Sequence, residues 1–117
     1  SIYLYNGVSF LYFKNYEDSL CNLNKSLEYD SKNYETYFYL GEVYYKLEKY
    51  EESIKNHEES LSINKNSIFN IFSMYRLGEL FYNLGKKEVS LKHLENALAI
   101  DEKFEDASNL KSKILNL

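Results

Sequence analysis

The sequence predicts an all-α protein made of three helical hairpins and a closing helix. Three observations carry this reading. A glycine-centred segment occurs three times, as Tyr3 to Phe10, Tyr37 to Tyr44 and Met74 to Phe81. From Gly7 to Gly41 is 34 positions, and from Gly41 to Gly78 is 37. Each copy is followed by a second matched block, opening at Tyr16-Glu17-Asp18-Ser19, Tyr50-Glu51-Glu52-Ser53 and Lys87-Glu88-Val89-Ser90. These blocks close at Ser26-Leu27-Glu28-Tyr29-Asp30, Ser60-Leu61-Ser62-Ile63-Asn64 and Ala97-Leu98-Ala99-Ile100-Asp101. Residues that interrupt helices are scarce: the 117 residues include no proline and 4 glycines. Long helices with short joints follow.

The elements can be placed in order. Asn15 precedes Tyr16-Glu17-Asp18 and is an expected N-cap, with acids in the first turn of the helix it opens. Asn33 before Tyr34-Glu35-Thr36 is another. Gly85 after Leu84 is an expected C-cap. The three surplus residues of the longer interval lie near 65–70. Ile68, Ile71 and Phe72 keep helical spacing, so the fifth helix is expected to start early, capped by Asn66 or Ser67. The tail, 105–117, is a capping helix whose Lys111, Ser112 and Lys113 face solvent. The repeats then cover about 1–33, 34–67 and 68–104 of a single domain.

A glycine in mid-helix costs about 1 kcal/mol relative to alanine. Three such glycines at one phase imply a close approach by the partner helix. Ser19, Ser53 and Ser90, with Ser26, Ser60 and Ala97, place small residues seven apart on the second helices. The expected packing sets small residues against small residues, with aromatic side chains filling the flanks.

On these residues the sequence resembles the tetratricopeptide repeat family over essentially the whole chain. Tyr37, Leu40, Gly41, Tyr44, Tyr50, Ser53, His57 and Ser60 fill the family pattern in the middle repeat. Asn6 stands where leucine is usual, and Lys87 where tyrosine is usual. Ser31, Lys65 and Glu102 stand where a proline normally closes each repeat. The resemblance implies a right-handed superhelical solenoid whose function is to bind other proteins.

Composition excludes several functions. Lys and Arg number 14 against 18 Asp and Glu, a net charge of −4, so the basic stripe expected of a nucleic-acid binder is missing. No apolar run approaches the ~20 residues that a membrane helix needs. The single cysteine, Cys21, forms no internal disulfide and no cysteine metal cluster. It fits a reducing, cytoplasmic setting. The chain starts at Ser1 without an initiator Met and reads as part of a longer protein, from which a leader could have been removed. His57 takes an aromatic place in the repeat and His93 points to solvent by phase, so neither suggests a metal site. The glycines lie singly on helices and make no phosphate loop. Acidic pairs such as Glu17-Asp18, Glu51-Glu52 and Glu58-Glu59 read as solvated faces. No enzymatic activity and no cofactor are expected.

What remains is a surface. In stacked helical hairpins the first helices line a concave groove. By phase, and in agreement with the family, the first helix contributes Leu4, Tyr5, Val8, Leu11 and Tyr12. The third contributes Phe38, Tyr39, Glu42, Tyr45 and Lys46. The fifth contributes Phe72, Tyr75, Arg76, Glu79, Tyr82 and Asn83. Tyrosine and arginine are frequent interface anchors, so a peptide or helix of a partner protein is the expected ligand. The resemblance also allows one partner class to be tested. Repeats that hold the acidic tail of heat-shock chaperones use a clamp of Lys, Asn, Asn, Lys and Arg on these helices. Here the matching places hold Leu4, Val8, Tyr39, Phe72 and Arg76, so only the last agrees and that partner is not expected. Two alternatives stay open: an architectural segment that self-associates, and a docking arm of a larger protein with an enzyme domain elsewhere.

Overall fold

The computed structural model describes residues 1–64 and 68–116. Among these residues there are seven helices and no strand, an all-α helical repeat. They are α1 (Ile2–Tyr12), α2 (Tyr16–Tyr29), α3 (Tyr34–Lys46), α4 (Tyr50–Ile63), α5 (Ile68–Asn83), α6 (Lys87–Ile100) and α7 (Glu105–Leu115). They fall into two compact units, Ser1–Asn64 and Lys65–Leu117. The expected caps Asn66 and Ser67 lie outside the described residues.

In the first unit α1 pairs with α2, α3 pairs with α4, and α2 and α1 also lie against α3. Its core is Leu23, Leu40 and Val43, flanked by half-buried Leu4, Leu11, Tyr16, Tyr37, Tyr39 and Tyr44. Each fully buried leucine of this kind contributes roughly 1.5–3 kcal/mol through removal from water. In the second unit α5 pairs with α6, and α7 packs on both. There Leu94, Ala97, Ala107 and Ile114 form the centre.

The glycine approach takes a different form from the small-on-small packing expected. A Cβ on Gly41 would stand 2.5 Å from the His57 ring, and on Gly7 or Gly78 it would stand 2.7 Å from Leu23 or 2.6 Å from Leu94. The glycine thus makes room for a large side chain, one turn beyond the serine. The serines have their own task. Ser19, Ser53 and Ser90 each donate a buried hydroxyl hydrogen bond to the carbonyl of Gly7, Gly41 and Gly78, at 2.7, 2.8 and 2.6 Å. A glycine carbonyl is reachable because no side chain shields it. The bond pins the two helices of each hairpin at one register and satisfies a hydroxyl that would otherwise be costly to bury. The other small positions act similarly in the first unit. The Ser26 hydroxyl meets that of Thr36 at 3.1 Å, and Ser60 donates to the Tyr34 carbonyl at 2.9 Å.

Asn33 caps α3 as expected, its side chain accepting from the amides of Glu35 and Thr36. Asn15 occupies the N-cap of α2, but its side chain makes no capping bond. The Asn15 amide reaches back to the Phe10 carbonyl at 2.8 Å, and Lys14 sits at φ 63°. The same left-handed turn recurs at Glu48 (φ 60°) and Gly85 (φ 79°), with Lys49 bonding to Tyr44 and Lys86 to Phe81. These are C-terminal closures that favour glycine, and only the third hairpin has one. Lys14→Gly and Glu48→Gly are therefore expected to stabilise the chain by roughly 0.5–1 kcal/mol each, because an L side chain is disfavoured there. Thermal melts of the two variants check this, and a fall in Tm for both would contradict the turn assignment.

Candidate peptide-binding site

The first unit brings the expected α1 and α3 residues onto adjacent helices. Tyr5 and Tyr12 are 72% and 81% exposed, so the core makes little use of either. Leu4, Val8 and Leu11 are half-buried, with Leu4 and Leu11 packed on the core. Tyr39 stands across on α3. Its phenol pKa is raised by burial first, and then by Tyr12, Glu35 and Glu42, which places those groups around it. Tyr45 is half-buried against Tyr50, ring centres 6.0 Å apart, and Lys46 is exposed. These residues make up the candidate face, a group rich in tyrosine with Glu35 and Glu42 near Tyr39.

Phe38 does not belong to that face. It is 7% exposed, with its ring edge-on to Tyr39 at 5.1 Å and to His57 at 5.4 Å. Helical phase places residue 38 at the border between groove and core, and packing against His57 draws it inward.

His57 itself is fully buried, with Nε2 3.2 Å from a Glu42 carboxylate oxygen. Leu23 and Leu94 hold the equivalent places in the other hairpins. The middle hairpin therefore has a polar link from its inner packing to a side chain on the candidate face. Spacing marked His57 as a packing residue but gave no sign of this bond.

In the second unit, the α5 residues are already engaged. Phe72 and Tyr75 both pack on Phe104, ring centres 5.4 and 5.5 Å away. Tyr82 lies under the Lys113 ammonium at 5.8 Å. Arg76 pairs with Glu79 one turn on, and its guanidinium is 6.0 Å from the Tyr75 ring. Burial, reinforced by the negative charges of Glu79 and Asp106, pushes the Tyr75 phenol up to about 12. Asn83 is exposed. Tyr75 and Tyr39 thus both take part in the packing of their units.

His93 also departs from expectation. It is half-buried and stacked on Phe81, with ring centres 5.6 Å apart and planes within 6°. Burial and the neighbouring Lys92 charge lower its pKa. Cys21 is exposed. Among the described residues, no group of His, Cys, Asp and Glu could hold a metal ion, and no helix is long and apolar enough to cross a membrane.

The chain is similar in fold to several solved structures. The first TPR of Spaghetti (RPAP3), bound to the HSP90 peptide SRMEEVD, matches at 18% identity and a TM-score of 0.90, covering 98% of this chain and 89% of that one. The Arabidopsis OM64 TPR domain matches at 12% identity and a TM-score of 0.91, covering 98% and 93%. YrrB, described as a TPR protein with an unusual peptide-binding site, matches at 24% identity and a TM-score of 0.87, over 97% of this chain but 57% of that one. At these identities the likeness is one of fold. No curated protein matches the chain. The tetratricopeptide repeat family model matches residues 33–103, more than half the sequence. The chain belongs to the tetratricopeptide repeat family.

Proposed function

We propose that this chain is a non-enzymatic module that binds a peptide or helix of a partner protein on the tyrosine-rich face of α1 and α3. The observation that carries it is the pair Tyr5 and Tyr12, two large side chains on α1 left bare although the core does not need them, with Tyr12 near Tyr39 of α3. Tyrosine offers wide apolar contact with a polar tip and few rotors to freeze. Proteins of the same fold support the reading, since one is described as bound to an HSP90 peptide. The acidic tail is not the ligand proposed here. Leu4, Val8 and Tyr39 stand at three of the clamp positions on this face, and none can neutralise a carboxylate.

A photo-crosslinking residue in place of Tyr5 would capture the partner, which is then titrated against the wild type and Tyr12→Ala. Tyr12→Ala is expected to weaken binding by about 1–3 kcal/mol with an unchanged helical spectrum, since the side chain is 81% exposed. Affinity should change little between low and moderate salt, because the contact is mainly apolar. Binding that collapses with salt, or a Tyr12→Ala variant that binds normally, would overturn the proposal. Ile2 on α1 and Phe13 at its C-cap, also bare, favour one second reading, self-association. It predicts a concentration-dependent dimer in light scattering that Tyr12→Ala disrupts.

A further inference from the structure

The opposite side of the first unit holds a cleft of about 520 Å³ between α2, α3 and α4. Its floor is Leu27, Tyr37, Leu40 and Tyr44. On α3 these floor residues lie at 37, 40 and 44, a stripe facing away by helical phase from Tyr39, Glu42 and Lys46. The cleft is therefore separate from the tyrosine-rich face.

One wall is α4, which contributes Glu52, Lys55, Asn56 and Glu59. Glu52 and Glu59 are two turns apart on one side of the helix, about 10 Å along its axis. Both are exposed at the rim, and Lys55 between them offsets only one of the two charges. The Tyr37 ring is held in the floor by its hydroxyl, which donates to the Ser31 carbonyl at 2.9 Å. Its phenol pKa is raised by burial and then by the negative charge of Glu59, which puts that carboxylate close to the apolar floor. An apolar floor beside two carboxylates and one ammonium is complementary to a ligand that is apolar in the middle and cationic at both ends. An acidic ligand would meet repulsion at both rims.

We infer that this cleft is a second docking site, for an extended protein segment with an aliphatic or aromatic side chain flanked by two Lys or Arg residues. In an extended strand, alternate residues share a face. The segment would therefore seat its central apolar residue on Leu27, Leu40 and Tyr44 while its outer cations meet Glu52 and Glu59.

The probe is the peptide acetyl-Lys-Ala-Leu-Ala-Lys-amide, with acetyl-Glu-Ala-Leu-Ala-Glu-amide as control, each titrated into the ¹⁵N-labelled chain by NMR. The lysine peptide is expected to shift the amides of Tyr37, Tyr44, Glu52 and Glu59, and the glutamate peptide to leave them in place. The double variant Glu52→Gln with Glu59→Gln should raise the Kd for the lysine peptide about fivefold, as two partly screened charge pairs would. Tyr12→Ala should leave it unchanged, so failure of this site and failure of the tyrosine-rich face are read separately. Three results would overturn the inference: shifts centred on Tyr12 and Tyr39 instead, equal response to both peptides, or an unaltered Kd in the double variant. Shifts of the cleft amides with protein concentration alone would also overturn it, by making a second copy the occupant.

Discussion

Gly41→Leu is expected to destabilise the chain by about 3 kcal/mol, the upper end of the usual cost of overpacking a close contact. The first added carbon already lies 2.5 Å from His57 Cδ2 and 2.6 Å from Nε2. His57 has little freedom to move aside. It is fully buried, its ring rests edge-on against Phe38, and its Nε2 meets Glu42. Leucine is the better helix former by about 1 kcal/mol, so a net loss would isolate the packing penalty. Glu59→Gln, exposed on the outer side of α4, should change stability by no more than about 0.5 kcal/mol. Urea melts of the two variants make the comparison. Equal effects would mean that Gly41 does not face α4 closely and that the repeat is misplaced.

The same glycine shows how far the sequence could be read. Three glycines at one phase announced three close helix contacts, and the contacts are there. Spacing alone could not say what each glycine faces. It suggested the serine twelve residues on, whereas the side chain over the glycine belongs to the residue sixteen on, Leu23, His57 or Leu94. The serine instead reaches the glycine carbonyl, a bond that a pattern of small residues does not reveal. A finer reading could have found the turns. Lys14, Glu48 and Gly85 each follow their repeat glycine by seven positions, so Gly85 was a guide to the backbone at the other two.

For the candidate faces the limit was different. Helical phase put Phe38 and Tyr39 side by side near the groove, and only tertiary packing separates a residue that turns into the core from one at its edge. His93 lay toward solvent by phase, yet Phe81 supplies a ring to stack on. The outer cleft left no sign at all, because its lining comes from three helices and its residues recur at ordinary surface positions. On α5 the aromatic spacing gave no hint of their partner, Phe104, which lies more than twenty residues away in sequence and belongs to the entry of α7.

That partner yields the second large effect. Phe104→Ala is expected to cost about 2–3 kcal/mol, less than the 3–5 of a fully buried phenylalanine because this one is half-buried. The ring sits at the N-cap of α7 and touches both Phe72 and Tyr75. Its removal deprives α7 of its contact with the α5 aromatics while leaving Ala107 and Ile114 in the core. Amide exchange should therefore speed up in the first turn of α7, where Ser108 bonds back to the residue 104 carbonyl, more than at its Ile114 end. Tyr75→Ala removes a neighbour of the same ring and should also lower stability, by about 1–2 kcal/mol for a half-buried aromatic, whereas Tyr75→Phe keeps the ring, loses the hydroxyl's hydrogen bond to Glu79 and should cost only about 0.5–1 kcal/mol. If Phe104→Ala and Tyr75→Ala both melt like the wild type, α7 does not lean on the α5 aromatics. Phe72 and Tyr75 would then be as open to a ligand as Tyr5 and Tyr12. If both are destabilised, those α5 aromatics serve the fold first, whereas Tyr5 and Tyr12 are tyrosines that a partner can reach without competing with the core.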